Sequence, residues 1–200
     1  MKTAKIISIL GHPIFHPTWM MIILSLSGLT RFISNNDAIF LTVTLSMTCI
    51  LPALIIVIMK KWHIIDSIEM EDKDDRLGPL FIMILFLYGT LRFFNKIQLL
   101  SVFNFYLTAT IVVTVLAFIT TFFWKISLHI LGWGCFTACL FIMTMMSISM
   151  YLPYFIGSII VSGIVASARL KLQSHSNAQI LAGFAMGFVT VILIYYFILF

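Results

Sequence analysis

Charge is scarce in this sequence. Asp, Glu, Lys and Arg make up 10% of its 200 residues, where a soluble globular chain carries roughly 25%. Hydrophobic residues make up 62%, and mean hydropathy is +1.12. A water-soluble fold is excluded, because too little polar surface is left to cover such a core. Cysteine is also rare, with three residues and no Cys-x-x-Cys. That excludes a paired redox motif, and all three, Cys49 and the pair Cys135 and Cys139 four apart, lie in apolar stretches and read as small buried hydrophobes. The opening Met1 to Leu10 resembles a signal peptide only faintly. No small-residue cleavage site follows and Pro13, His16 and Pro17 interrupt the apolar run, so the segment is expected to stay in the mature protein. No internal repeat or low-complexity tract is present. The formal charge of +5 is too small and scattered for a nucleic-acid footprint, so no nucleic-acid partner is expected. It suits lipid headgroups or an anionic ligand.

What remains is a series of long apolar runs. A helical span needs about 20 predominantly apolar residues, and only helices satisfy backbone polar groups within such runs. Charge-free stretches fall at about 17–29, 38–59, 79–91, 99–124, 130–150, 153–168 and 178–200. The fold class expected is all-α, a polytopic transmembrane helix bundle of about six to seven spans forming one integral membrane domain over 1–200. The first and third runs are short, and one of them is a candidate for a partly re-entrant segment. Turn signals stand at Ser34-Asn35-Asn36-Asp37 and near Asn95-Lys96. Gly183-x3-Gly187 reads as a helix-packing pattern, and Met143, Met145, Met146 and Met150 as lipid-facing or filler residues.

Alternating crossings assign sides. His12 and His16 precede the first span, the acidic loop 60–78 follows the second, Lys125 to His129 follows the fourth, and Arg169 to His175 follows the sixth. An even number of crossings separates each cluster from the next, so all four are expected on one membrane face. His12 and His16 are four apart. A two-histidine metal pair is conceivable there, but the prolines disturb the helical spacing, and interfacial anchoring or a site rim is the favoured reading.

The clusters contain residue types that suit phosphate chemistry, each beside a plainer reading. In RLKLQSHSNAQ, Arg169 can hold a phosphate oxygen through two donors, and a neutral His175 can attack phosphorus. The alternative is an interfacial Arg and His at headgroup level. In KISLH, His129 can protonate a leaving oxygen and Ser127 can donate to phosphate; otherwise Ser127 is a helix N-cap. In EMEDKDDRLGP, Lys73 and Arg76 can complete a cationic cradle. The carboxylates Glu71, Asp72, Asp74 and Asp75 can instead hold Mg²⁺, or the segment is a solvated loop.

Together these pieces resemble the type 2 phosphatidic acid phosphatase superfamily, which shares its fold with vanadium haloperoxidases. The family signature is a lysine followed by Arg-Pro, then Pro-Ser-Gly-His, then Ser-Arg-x5-His-x3-Asp. This sequence has Arg76 with Pro79, then Ile126-Ser127-Leu128-His129, then Ala168-Arg169-x5-His175-x3-Gln179. The opening LGHPIFHPTW is similar to the start of a small bacterial membrane branch. The departures are Glu69 where the lysine would stand, with Lys73 as a substitute, Ile126 and Leu128 in the second motif, and Gln179 in place of the final Asp.

The resemblance covers about 60–200 and implies a phosphatase-like core there, preceded by a helical pair over about 1–59. It implies His175 as nucleophile, His129 as general acid, Arg169, Arg76, Lys73 and Ser127 as phosphate ligands, and Gln179 as the support of His175. It implies a lipid phosphate or diphosphate as substrate, of the phosphatidate, phosphatidylglycerol phosphate or polyprenyl diphosphate class, with no metal and no other cofactor, in the bacterial inner membrane. Glutamine supplies no charge to stabilise a protonated histidine, which favours a second reading, a non-catalytic descendant that binds or moves a lipid phosphate. An intramembrane prenyltransferase ranks last, because only one Asp-rich segment is present. The oligomeric state is open. The clustered face has nine cations (Lys2, Lys5, Lys60, Lys61, Lys73, Arg76, Lys125, Arg169, Lys171) and the other three (Arg31, Arg92, Lys96). Setting aside Lys73, Arg76, Lys125, Arg169 and Lys171 as placed for phosphate rather than topology leaves four against three, and the resemblance implies an outer working face; Lys2, Lys5, Lys60 and Lys61, which flank the first two spans, lean the clustered face toward the cytoplasm.

Overall fold

The protein is seen in a computed structural model that describes residues 1–28, 37–67, 70, 72–95, 101–146 and 148–199. The side chains of 148, 149, 198 and 199 are outside the description. The expected turn at 34–36, the Asn95-Lys96 turn beyond Asn95, and Arg31, Glu69 and Glu71 lie wholly or partly outside the described residues.

The regular structure among the described residues is helical, without a strand. In chain order the helices are α1 (Lys2–Leu10), α2 (His16–Leu26), α3 (Asp37–Leu45), α4 (Leu51–Lys61), α5 (Leu77–Phe94), α6 (Ser101–Phe123), α7 (Leu128–Met146), α8 (Ile148–Lys171) and α9 (Asn177–Leu199). Seven helical segments are long and apolar enough to cross a membrane: Lys2–Leu26, Asp37–Lys61, Asp74–Phe94, Ser101–Phe123, Leu128–Met146, Met150–Lys171 and Asn177–Phe197. The protein is therefore read as an integral membrane protein.

The first and third segments are not short: they run 25 and 21 residues. The first gains its length from a separate helix, α1, joined to α2 across 11–15; the third begins in a 3₁₀ turn, Asp74–Arg76, and runs past Arg92 to Phe94, because backbone hydrogen bonding does not stop at an arginine. Within the first segment, Gly11 caps α1 and a 3₁₀ turn at Pro13–Phe15 leads into α2, where Pro17 fills the first turn. Proline is tolerated there because the N–H it lacks would have no intrahelical partner. In the second segment a π-helical turn, Ser46–Ile50, joins α3 to α4 just before Pro52. A proline inside a continuous helix removes one ladder bond and clashes with the preceding turn, and a local widening absorbs the misfit.

The chain divides into two compact units. One is Met1–Pro13 with Ile126–Phe200; the other is Ile14–Lys125. In the first, α7 packs against α8 and α9, and α1 docks on α8. Helix α7 is the buried one, with 72% of its most apolar stretch inside the fold against 22% for α8 and for α9. Its apolar residues accordingly run around the whole helix rather than along one stripe. Glycine sets the spacing of α7 and α9. A Cβ at Gly187 would collide with the Leu131 carbonyl oxygen and stand 2.9 Å from the Cys135 nitrogen, and one at Gly183 would stand 3.0 Å from the Ser127 oxygen. The Gly183-x3-Gly187 pattern is thus a backbone-to-backbone packing seam. Cys135 and Cys139 are buried in the same helix, Met143 is buried, and Met145, Met146 and Met150 are exposed.

In the second unit α5 packs on α6, and α2 on α3 and α6. Phe94 is buried at its centre, edge-on to Phe40 at 5.8 Å and to Phe103 at 5.2 Å. Several hydroxyls within the apolar helices turn back on their own backbone, as Thr110 does to the Tyr106 carbonyl and Thr121 to that of Ala117, while those of Thr44 and Thr137 are buried with no hydrogen-bond partner among the described residues. Each that turns back meets lipid or core with its donor satisfied.

Candidate functional site

The polar residues of the first unit gather at one end of its helices. His129 is the second residue of α7, Arg169 lies in the last turn of α8, and His175 lies in the link before α9. The glycine seam brings the starts of α7 and α9 together, where the Ser127 N–H donates to the Gln179 carbonyl at 3.4 Å. Two helix N-termini thus meet beside an arginine. Each offers N–H groups without intrahelical partners and the positive end of a helix dipole.

Arg169 and His129 meet at one oxygen. Arg169 Nη1 donates to Ser8 Oγ at 2.9 Å, and the same oxygen lies 3.5 Å from His129 Nε2. The His12 ring stands edge-on to the His129 ring, centroids 4.7 Å apart. His175 joins them through Gln179, whose side chain it meets at 3.1 Å and whose backbone carbonyl accepts from the Ser127 N–H at the start of α7. The structure therefore brings His129, Arg169 and His175 into one neighbourhood, with Ser8 and His12 added from α1. Arg169 and His129 are half-buried, and His175 is buried.

His175 is oriented by Gln179. Ser176 and Gln179 form a capping box at the start of α9: the Gln179 N–H faces Ser176 Oγ at 3.4 Å, and the Ser176 N–H donates to Gln179 Oε1 at 3.0 Å. A backbone N–H can only donate, so the atom facing it must be the amide oxygen. That oxygen is also 3.1 Å from His175 Nδ1. It can only accept, so Nδ1 carries a proton, and in the neutral ring Nε2 is then the nitrogen with the free lone pair. The Ser176-x-x-Gln179 box is legible in sequence; its second duty toward His175 is not.

Ser127 is fully buried, and its hydroxyl has no hydrogen-bond partner among the described residues. It does not cap α7 with its side chain. A buried hydroxyl left unpaired is costly and uncommon.

Lys73 and Arg76 belong to the second unit, where their visible partners are backbone carbonyls. Lys73 Nζ donates to Phe122 O at 3.0 Å, and the buried Arg76 donates from Nε to Met70 O at 3.1 Å. The Asp75 carboxylate accepts from the N–H groups of Asp66 and Ser67, at 3.0 and 3.1 Å. Asp75 thus pins the loop onto the start of α5. His16 is also in the second unit, buried and 5.6 Å from the Trp19 ring. Among the described residues no group of three or more His, Cys, Asp or Glu is placed to hold a metal ion.

Ser8 carries no sequence signal beyond its position four residues before His12. No protein-family model, curated protein or solved structure matches this chain.

Proposed function

We propose that this protein is a membrane-embedded phosphatase of the type 2 phosphatidic acid phosphatase kind, acting on a lipid phosphate or diphosphate. The observation that carries the reading is the meeting of Arg169 and His129 at a single oxygen beside the N-termini of α7 and α9. A guanidinium, an imidazole and two sets of N–H groups suit an oxyanion in charge and donor geometry. The unpaired Ser127 hydroxyl is one more donor for it.

In this reading His175 Nε2 attacks phosphorus and the bond from phosphorus to the lipid oxygen breaks. His129 gives its proton to the departing oxygen. Water then attacks the phosphohistidine, His129 takes a proton from that water, and inorganic phosphate leaves. Arg169 and Ser127 hold the non-bridging oxygens throughout.

Phosphate release from a panel of lipid phosphates and diphosphates, by protein purified in detergent with and without chelator, tests the reading. Release is expected, unaffected by chelator. Release that needs a divalent ion, or no release from any member of the panel, overturns it. One observation favours a binding or transporting descendant instead: the acceptor behind His175 is the neutral Gln179. Tight binding of lipid phosphate without turnover would establish that alternative.

We further propose the bacterial inner membrane as the location, with the site facing the cytoplasm. Seven crossings then put Phe200 outside. An oxidation-dependent reporter fused after Phe200 should be active; a fluorescent cytoplasmic reporter glowing there would reverse the orientation or the span count.

A further inference from the structure

Helix α1 is locked in place by contacts that have no role in crossing a membrane. Ala4, Ser8 and Gly11 form its buried stripe, at spacings of four and three. A Cβ at Gly11 would collide with the Val165 side chain of α8, so glycine permits the close approach. The buried Trp133 indole N–H, on α7, donates to the Gly11 carbonyl at 3.0 Å. These two anchors hold the last turn of α1 against α7 and α8. The residue one turn back, Ser8, then stands between Arg169 and His129, and the next residue along, His12, stands edge-on to His129.

From this geometry we propose that Ser8 is a positioning residue of the oxyanion site, and that α1 is a working part of that site; the inference rests on the phosphate-binding reading above. The Ser8 oxygen accepts one N–H of Arg169, so its own proton is left to face His129 Nε2 when that nitrogen is unprotonated. When Nε2 carries a proton, a second lone pair on the same oxygen can accept it. One hydroxyl therefore serves both protonation states of the general acid. It also holds a flexible arginine side chain in the orientation a phosphate needs, before phosphate arrives. Preorganisation of this kind raises affinity without touching the ligand.

Orthovanadate binding to the full-length protein in detergent, measured by calorimetry at fixed pH, tests the proposal. Wild type, Ser8→Ala, Ser8→Thr and Arg169→Ala are compared, with melting temperatures recorded for each. Ser8→Ala is expected to weaken binding about tenfold, the effect of losing one charge-assisted hydrogen bond. Ser8→Thr, which keeps the hydroxyl, is expected to restore binding to within about threefold, and the melting temperature of Ser8→Ala should stay near that of wild type. Four results would overturn the inference. If Ser8→Ala binds as wild type while Arg169→Ala is weakened, the oxyanion site stands but Ser8 has no part in it. Equal losses in Ser8→Ala and Ser8→Thr would assign the effect to helix packing. Tighter binding in Ser8→Ala would make the hydroxyl a competitor of the ligand. If wild type does not bind, or binds no better than Arg169→Ala, the phosphate-binding reading fails and the inference falls with it.

Discussion

Two polar regions of this molecule use charge in opposite ways. In the loop before α5, side chains turn to backbone: Asp75 accepts from two N–H groups, Arg76 and Lys73 donate to carbonyls, and Lys60 donates to the Asp66 carbonyl. At the end of α1, α7, α8 and α9, side chains meet side chains from distant parts of the chain: Ser8 with His129, Ser8 with Arg169, His12 with His129. The first arrangement closes a loop. The second assembles reactive groups whose donors converge, and it leaves a buried hydroxyl at Ser127 unpaired. A charged cluster in sequence is therefore not equivalent to a site. What matters is whether its donors face the backbone or one another.

Substitution can break or sharpen this contrast. The largest effect is expected at the proposed nucleophile. His175→Ala should lower phosphate release by about a thousandfold or more, since no other group replaces the attacking nitrogen. Its melting temperature should stay close to wild type. A variant with near-normal turnover would move the nucleophile elsewhere and leave His175 as a structural partner of Gln179.

Asp75→Ala should act in the opposite sense. Two loop N–H groups lose their acceptor, and stability should fall by about 1 kcal/mol, because these groups are close enough to the surface to turn to water. Thermal unfolding in detergent would show this as a drop of a few degrees. Orthovanadate affinity should not change. If affinity falls while the melting temperature holds, the loop is part of the ligand site and the contrast between the two regions is lost.

The smallest effect is expected at Gln179. Gln179→Asp places a carboxylate behind His175, favouring the cationic ring as charge develops, and near the positive end of the α9 dipole. Turnover should rise several-fold, measured as initial phosphate release at saturating lipid. A well-folded variant that loses activity would show that glutamine is used for its double acceptor role, toward Ser176 and His175 together.

The membrane character of the chain was legible because desolvation acts residue by residue. Long charge-free runs mark spans whatever they pack against, and each of the seven expected runs corresponds to one of the seven helical segments. Their ends were less legible. The 3₁₀ turn Asp74–Arg76 before α5 depends on hydrogen bonds that continue through polar residues, and the extension of the first segment back to Lys2 is a second helix, α1, set off from α2 at Gly11. At the site, Arg169, His175 and Gln179 were readable from their mutual spacing, because a helix end and the link after it keep residues six and ten apart close. His129 was readable from its place two spans before.

Ser8 was not readable. A serine in an apolar helix has no local mark of function, and its partners lie 121 and 161 residues away. The sequence by itself determined an all-helical membrane protein, the order of its spans and the residue types available for phosphate chemistry. Those follow from hydropathy and short-range spacing. Tertiary structure alone decided which polar groups share an oxygen and which close a loop. Gly11, Gly183 and Gly187 let backbones approach, and the side chains that then meet are chosen by that packing rather than by any pattern along the chain.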